Sequence, residues 1–341
     1  MIVVVRLADL LNDRTSIIAG LRQHLNPLTD DRRFNWLYVD NPDGPARVWV
    51  IEDPMRQQIV GTCAVLPRYL YVEKAKVLGC VITDTWVHPD YRALGPVLKL
   101  QRGCMTDISP DRFRLGYDFP RQAMIAVYKR LGIAPRDNLV DFVRLLKLNS
   151  FLTNRLGNNA AVRLLARVAN PLMRFVGPRT ARCDVAIGLE DEACGPEYTE
   201  MHEANVGDSV CVARTAEYLN WRYRKHFHHR HEFLVARRAG RLVGYVVFIN
   251  DGLRAVGLDL VCEDDERLYR TLLSSLMQLL TCRGCQALRF SALASDRLAS
   301  TLRALGFRPM GETPFVVLPA EDLAAQLNGC GYSFTLGHEP D

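Results

Sequence analysis

The stretch from Cys80 to Leu98 most constrains what this chain can fold into, because it predicts two types of structure within a few residues. An apolar run rich in β-branched residues predicts a buried strand that ends near Val87. The turn His88-Pro89-Asp90 follows, and a helix is predicted to begin near Gly95. Pro96 fits the first helical turn, where its missing N–H would have no intrahelical partner. The turn would aim backbone N–H groups and a helix positive end at one point, which predicts an anion site suited to a pyrophosphate.

The residues of this turn carry a resemblance to a known family. The run RALGPV, residues 92–97, resembles the R/Q-x-x-G-x-G/A loop of the GNAT superfamily of N-acyltransferases, which cradles the pyrophosphate of acyl-coenzyme A. Val97 departs from the small residue that is usual there. The family also stabilises its oxyanion with a backbone N–H of the central strand, which here indicates Trp86 or Val87. The resemblance implies that the coenzyme is bound by Trp86, Val87, Arg92, Ala93, Leu94, Gly95, Pro96 and Val97.

A second motif follows in the expected order. Arg112 to Pro120 predicts a strand, and Gln122 to Ile133 predicts an amphipathic helix. The ending Tyr128-Lys129-Arg130-Leu131-Gly132-Ile133 resembles the family's Y-x-x-x-G-F segment, in which the tyrosine hydroxyl protonates the leaving thiolate. The resemblance therefore implies that Tyr128 is the general acid. The alternative is a half-buried tyrosine that donates to a backbone carbonyl.

An acceptor amine must lose a proton, so the site also needs a general base. The nearest candidate carboxylates are Asp84, on the predicted central strand, and Asp118, where the next strand ends. For either residue the alternative is that it binds substrate hydroxyls or caps a helix.

The second half of the chain repeats the first. The core Asn35-Trp36-Leu37-Tyr38 recurs as Asn220-Trp221-Arg222-Tyr223, and two further echoes follow in the same order. The sequence therefore resembles the double-GNAT enzymes, with an α/β (α+β mixed sheet) fold of two tandem domains, each a mixed, mostly antiparallel sheet flanked by helices. The predicted boundaries are residues 1–149 for the acyl-CoA-binding domain, 150–182 for a basic helical linker, 183–325 for a degenerate domain and 326–341 for a tail.

The two copies differ at the predicted coenzyme site. Where the first has RALGPV, the second has the acidic run Glu263 to Leu268, whose four carboxylates suit a helix start but repel pyrophosphate. Leu302 stands where the first copy has its tyrosine. The second copy is therefore predicted to bind no acyl-CoA there and to form one wall of the acceptor pocket.

Composition narrows the class of protein. Of 341 residues, 48% are hydrophobic and 24% are charged, which is typical of a soluble globular protein with two domains. The net charge of +5 favours binding of small anions and is not typical of a nucleic-acid-binding protein, since basic residues cluster only in the linker.

The linker, residues 150–182, is predicted to be a helix packed against the domains, and the alternative that it contacts an anionic membrane is not favoured. No run is long enough to span a membrane, and ten scattered cysteines indicate a reducing cytoplasm.

Two groups of potential metal ligands are weak candidates. The tract from His226 to His231 lacks adjoining carboxylate or thiol partners except Glu232, and it aligns with a turn of the first copy that has no ligand character. Cys282 and Cys285 form a single C-x-x-C with no second pair. We therefore expect no metal.

These observations together predict an acyl-CoA-dependent N-acyltransferase. The co-substrate would be acetyl-CoA or another acyl-CoA, and the acceptor the amine of a small molecule, with an amino sugar or nucleotide-linked sugar in surface polysaccharide synthesis as one setting. Two alternatives stay open. One is a non-catalytic, regulatory module that holds acyl-CoA, which Val97 and the degenerate copy favour. The other is an acyltransferase that acts on a peptide, aminoacyl or carrier-bound acceptor. The sequence does not indicate an oligomeric state.

Overall fold

A computed structural model describes residues 3–92, 94–147 and 184–338. Within these residues the chain forms one mixed sheet of 14 strands flanked by helices, the mixed α/β class that the sequence predicts. The predicted linker 150–182 and the end of the predicted tail lie outside the described residues. Among the described residues, no helix combines the length and the apolar character that crossing a membrane requires.

The first half follows the order of elements predicted from the sequence. Its apolar alternations become strands and its 3.6-residue periodicities become helices. The elements are β1 Val4–Leu7, α1 Arg14–His24, α2 Asp31–Phe34, β2 Arg47–Asp53, β3 Gln58–Val72, β4 Ala75–Val87, α3 Leu94–Met105, β5 Leu115–Asp118, α4 Gln122–Arg130 and β6 Asp137–Leu145.

The second half repeats most of this order, with a helix between its central strand and the next strand. Its elements are β7 Ala186–Glu190, α5 Pro196–Ala204, β8 Val210–Val212, α6 Ala216–Leu219, β9 Glu232–Arg238, β10 Arg241–Asn250, β11 Arg254–Cys262, α7 Glu266–Cys282, β12 Ala287–Leu293, α8 Arg297–Ala304, β13 Arg308–Pro319 and β14 Tyr332–Ser333.

The sequence echo in the two halves corresponds to the same local structure. Each N-W-x-Y core lies in a π-helical turn, Asn35–Val39 in the first half and Asn220–Arg224 in the second. Each turn directly follows a four-residue helix whose preceding residue, Asp30 or Thr215, caps it with a side-chain oxygen. The tract from His226 to His231 lies in the loop after the second turn and not on a strand.

The two halves exchange their last strands. β6 does not pair with β5; it pairs antiparallel with β12, in register from Leu139 opposite Leu293 to Leu145 opposite Ala287. β13 returns the exchange, since its last four residues pair antiparallel with β5. The first part of β13 also pairs with β6, so the two half-sheets join into one. Strands on either side of residue 149 pair with each other, so the predicted boundary divides the chain in sequence but does not divide the sheet. The boundary itself stays a prediction.

The core lies on both faces of this sheet. In β4 the side chain of Val81 packs into a cluster that contains residues of both halves, whereas its neighbour Ile82 packs under α3 and α4. This alternation follows from the two-residue period of a strand. A strand-borne functional group of β4 or β5 therefore faces either the junction of the halves or the helical layer, depending on its position.

Candidate active site

An opening in the sheet lies between β4 and β5. The two strands pair in parallel only where Cys80 and Val81 meet Gly116 and Tyr117. Beyond this point β5 ends at Asp118, whereas β4 continues to Val87. A cavity of about 260 Å³ occupies the gap, and the residues from Val81 to Thr85 and from Asp118 to Arg121 line it.

A β-bulge shapes the β4 wall of this cavity. Thr62 of β3 stands opposite Trp86 and Ala64 stands opposite Thr83, so Asp84 and Thr85 together face the single residue between them on β3. Asp84 has a φ of 49°, in the left-handed region that a non-glycine residue rarely adopts. The bulge thus interrupts the regular pairing of β4 at Asp84 and Thr85, and both residues line the cavity.

Asp84 is held in a buried network. Both of its carboxylate oxygens accept from the Arg33 guanidinium, at 2.9 Å each, and Oδ2 also accepts from the Tyr38 hydroxyl at 2.6 Å. The side chains of Arg33 and Asp84 are only 1% and 4% exposed. Both Asp84 carboxylate oxygens are thus bound by donors of the protein itself, which fixes the orientation of the side chain. That Asp84 acts as the base or binds substrate hydroxyls stays a prediction.

Asp118 forms the opposite wall with a different partner. Its Oδ2 accepts from the Tyr128 hydroxyl at 2.6 Å, and the Tyr128 oxygen in turn accepts from Gln101 Nε2 at 2.9 Å. Tyr128 is fully buried, and burial together with the neighbouring Asp118 carboxylate raises the pKa of Tyr128 well above its usual range. The structure thus brings two predicted site residues together, with Asp118 on the cavity wall and Tyr128 behind it.

The end of β4 presents backbone groups to the same opening. His88 N–H donates to Val60 of β3 at 2.8 Å, and the alternation of an antiparallel ladder then directs the polar groups of Val87 away from β3. In agreement, the Val87 carbonyl accepts from Arg92 Nε at 2.9 Å. Val87 is therefore the better placed of the two predicted oxyanion donors, whereas Trp86 is paired with Thr62. That Val87 serves this role stays a prediction.

The predicted pyrophosphate loop leads into α3 as the sequence suggests. The helix begins at Leu94, one residue before the predicted start, and Pro96 lies in its first turn. Gly95 is exposed, and a Cβ placed on it would have no neighbour within 4 Å. Val97 is partly buried against the core under α3, and Arg92 is exposed. Ala93 lies outside the described residues, so its predicted contact stays untested.

Comparison with known proteins identifies this part of the chain. A family model described as "Acetyltransferase (GNAT) domain" matches residues 23–135, which include the cavity, the loop and Tyr128. This part of the chain is similar to a GNAT acetyltransferase domain. No curated protein sequence matches the chain.

Solved structures extend the likeness over both halves. A probable N-acyltransferase of unknown function from Enterococcus faecalis superposes with a TM-score of 0.67 at 12% identity, covering 94% of this chain and 73% of its own. A GCN5-related N-acetyltransferase from Anabaena variabilis has a TM-score of 0.65 at 12% identity, with coverages of 92% and 72%. N-myristoyltransferase from Saccharomyces cerevisiae, with bound myristoyl-CoA, has a TM-score of 0.55 at 13% identity, with coverages of 93% and 82%. These superpositions confirm the predicted GNAT fold.

The second half of the chain has its equivalent opening filled by its own residues. β11 and β12 pair in parallel only from Arg254 to Gly257, after which they diverge. The segment 334–338 lies against the divergence, since Leu293 N–H donates to the Phe334 carbonyl and a Cβ on Gly337 would lie 2.9 Å from the Leu258 carbonyl oxygen. Segment 334–338 therefore occupies this place in the second half.

The acidic run of the second half is also neutralised internally. Glu263 binds Arg238 at 2.7 Å and also Arg241, while Asp264 and Glu266 pair with Arg297. Asp265 caps the helix that follows by accepting from Arg267 N–H. These pairings are structural. In the described residues, the helix that follows the central strand begins with an open glycine in the first half, whereas in the second half it begins with this paired acidic run.

Metal ligation finds no support in the described residues. Within them no group of three or more histidine, cysteine, aspartate or glutamate side chains is placed to hold a metal ion. The histidine tract is instead held together by stacking, with the rings of His226 and Phe227 4.7 Å apart.

Sequence reasoning missed two residues of the GNAT site. Arg33 lies at the start of the repeated segment that holds the N-W-x-Y core, but its role follows only from its contact with Asp84. Gln101 had a readable signal, because it shares a helical stripe with Val97, Leu100 and Cys104, which are all packed into the core. A fully buried glutamine on such a stripe needs hydrogen-bond partners, which Tyr128 supplies.

Proposed function

We propose that this protein transfers a short acyl group, expected to be acetyl, from coenzyme A to the amine of a small hydrophilic molecule. The observation that carries the proposal is the cavity between β4 and β5. It has an ion pair on one wall and the Asp118 carboxylate on the other, and the loop into α3 leaves the same end of β4. An amine and a thioester held in such a gap would react as if in one molecule, which is a large part of the acceleration in acyl transfer.

The loop fits the diphosphate of the co-substrate. Exposed Gly95 allows close approach to the first amides of α3, and the positive end of the helix favours an anion. Arg92 is exposed beside it and would add a cation. In this proposal Val87 N–H donates to the thioester oxygen as it becomes negative, as an oxyanion-hole donor does.

The acceptor side favours a polar amine. The cavity wall carries Thr83, Asp84 and Thr85 on β4 and Asn26 on the loop after α1. Hydroxyl, amide and carboxylate groups at this density match a polyhydroxylated amine better than an apolar one. We therefore retain an amino sugar or nucleotide-linked amino sugar as the acceptor class, with the second half closing the junction behind it.

The test measures thiol release from acetyl-CoA with a panel of amines that includes free and nucleotide-linked amino sugars, amino acids and short peptides. We expect one sugar class to release thiol and to gain the acyl mass, and Asp118→Asn to slow both by about 10² or more. Asp322→Asn, which alters an exposed partner of Arg114, is the matched control and should keep full activity. Binding of coenzyme A without thiol release for any amine would instead support a non-catalytic module, and acylation of peptides alone would contradict the sugar proposal.

A further inference from the structure

A hydrogen-bonded chain links the two walls of the cavity through the helical layer. On the β4 side the Thr85 hydroxyl donates to Cys63 Sγ at 3.1 Å, and Cys63 Sγ lies 3.9 Å from Gln101 Oε1. On the β5 side Gln101 Nε2 donates to Tyr128, and Tyr128 donates to Asp118. Both ends of the chain, Thr85 and Asp118, line the cavity, whereas Cys63, Gln101 and Tyr128 are buried behind it.

The donors of this chain all run in one direction, which fixes where the Tyr128 proton lies. A carboxylate can only accept, and a tyrosine has one proton to donate, so the bond to Asp118 uses it. The Tyr128 oxygen must therefore receive its second bond from a donor, which sets the amide of Gln101 with its nitrogen toward Tyr128 and its oxygen toward the Cys63 thiol. In this arrangement Tyr128 has no proton left for a second acceptor.

We propose that Asp118 is the group that exchanges protons with the substrates, and that Tyr128 and Gln101 are positioning residues that act through it. This inference rests on the function proposed above and changes the role that the family resemblance implies for Tyr128. Its structural basis is that Asp118 lines the cavity while Tyr128, its hydrogen-bond donor, is fully buried.

The proton balance needs one group only. When the amine nitrogen forms its bond to the thioester carbon, the Asp118 carboxylate takes the proton that the nitrogen loses. When the carbon–sulfur bond breaks, the sulfur leaves with its electron pair and takes that proton from the Asp118 carboxyl. Asp118 returns to the carboxylate, and Tyr128 keeps its own proton throughout. The products are an amide and a free thiol, so atoms and charges balance without another reactant.

The groups around the pair define its electrostatics. Facing the cavity with Asp118 are Arg33 and Asp84, which bind each other, and Arg121. On the Tyr128 side the titratable neighbours are the thiols of Cys63 and Cys104. The hydrogen bond from Tyr128 stabilises the charged form of Asp118, so removing it raises the pKa of that carboxyl.

The experiment compares Tyr128→Phe, Asp118→Asn and the wild type over a range of pH. For Tyr128→Phe we expect the acidic limb of kcat/KM to move to higher pH, the alkaline plateau to fall less than about tenfold, and KM for acyl-CoA to stay unchanged. For Asp118→Asn we expect a loss of about 10² to 10⁴ on the alkaline plateau, the usual worth of a general acid–base, and we expect the acidic limb to disappear. Tyr71→Phe is the matched control, because that tyrosine also donates to a carboxylate, Glu203, but elsewhere.

Gln101 supplies a second test. Gln101→Leu should move the acidic limb in the same direction as Tyr128→Phe but by less, and the double variant should match Tyr128→Phe alone. Additive effects would contradict a role that runs through Tyr128.

Infrared titration gives a readout that does not depend on turnover. The carboxyl band that disappears in Asp118→Asn should titrate at higher pH in Tyr128→Phe than in the wild type. A loss of 10² or more in Tyr128→Phe at every pH with an unmoved limb, or an unmoved carboxyl band, would overturn this inference alone. A wild type that releases no thiol with any amine would overturn the proposed function and the proton-transfer role with it.

Discussion

The indole rings of Trp36 and Trp221 stack with their centroids 4.9 Å apart, and each indole N–H donates to the backbone carbonyl of the other residue. The two donor–acceptor distances are 3.0 and 2.8 Å. Residues that occupy equivalent positions in two repeats and contact each other reciprocally mark a local two-fold axis. The repeated N-W-x-Y turn is therefore a joint between the halves, which explains its recurrence in the copy without an open cavity.

This joint predicts a specific loss of stability. Trp36→Phe and Trp221→Phe should each reduce the free energy of unfolding by about 1–3 kcal/mol more than the packing loss alone, because each leaves a buried carbonyl without its donor. Trp86→Phe measures that packing loss, since the Trp86 indole nitrogen is buried with no hydrogen-bond partner in the described structure. Chemical denaturation of the three variants gives the comparison. Equal losses in all three would show that the reciprocal hydrogen bonds contribute nothing.

The Arg33–Asp84 pair predicts a second, larger effect. Asp84→Asn should cost about 3–5 kcal/mol of unfolding free energy, because it leaves a buried guanidinium without its counter-charge. The matched control is Arg270→Gln, which breaks an exposed pair with Glu266 on one helix face and should cost no more than about 0.5 kcal/mol. Thermal or chemical unfolding decides the comparison. A cost for Asp84→Asn as small as that of the control would mean that the pair is not structural.

The sequence predicted the course of the first half because its signals are local. The β-branched run before Val87, the Pro96 start of a helix and the spacing to Tyr128 depend only on neighbouring residues. Asp84 and Asp118 were found for the same reason, since both stand at the ends or bends of predicted strands, and both line the cavity. The partner of Asp84 was not predictable, because Arg33 lies 51 residues from Asp84 along the chain. The partner of Asp118 is Tyr128, a residue that the sequence had already indicated.

The strand exchange could not be read from the sequence either. Alternation in β6 and β13 predicts strands but not which edge each strand joins, since either half-sheet offers the same backbone groups.

The filling of the opening between β11 and β12 by segment 334–338 is also a long-range contact that the sequence does not indicate. It depends on the absence of a Cβ at Gly337, where the Tyr223 hydroxyl and the Leu258 carbonyl leave no room for one. Its neighbour His338 accepts, through its carbonyl, from the Tyr117 hydroxyl of β5 at 3.2 Å.

Gly337→Ala tests whether this segment fastens the two halves. The added methyl would overlap the Tyr223 hydroxyl and lie 2.9 Å from the Leu258 carbonyl oxygen, so we expect a loss of about 1–3 kcal/mol in unfolding free energy. Gly207→Ala is the control, because a Cβ there has no neighbour within 4 Å and its backbone is not in the left-handed region. Hydrogen exchange should show added opening at β5, which carries Asp118. Unchanged stability would mean that the segment repacks without cost.

Gly95→Glu tests the proposed diphosphate site without disturbing the fold. Because the space at Gly95 is open, the substitution should leave the melting temperature within the range of silent surface changes. The added carboxylate would repel the diphosphate, so we expect the affinity for coenzyme A, measured by calorimetry, to fall at least about tenfold. Gly207→Glu adds the same charge in the other half and should leave affinity unchanged. Equal affinity in both variants would place the diphosphate elsewhere.

Buried His202 predicts how stability depends on pH. Burial, followed by the nearby Arg214 charge, lowers the pKa of His202 to about 3. The unfolded chain takes up this proton near pH 6.5 and the folded protein only near pH 3, so the unfolded state binds more protons between these values. The contribution of this group is therefore complete above pH 6.5 and falls by about 1.4 kcal/mol per pH unit below it. His338 titrates in the same direction, because burial and the nearby arginines lower its pKa.

Replacing the imidazole separates this effect from acid unfolding in general. His202→Gln should lose less unfolding free energy than the wild type between pH 6.5 and pH 5, by about 2 kcal/mol, even though it is less stable at neutral pH. His228→Gln removes an exposed histidine and should leave the wild-type slope unchanged. Urea denaturation at each pH provides the free energies. If the curves of His202→Gln and the wild type run parallel, His202 does not stay neutral in the folded protein at these pH values. The prediction drawn from its buried contacts with Arg214, which itself binds Asp259, would then be wrong.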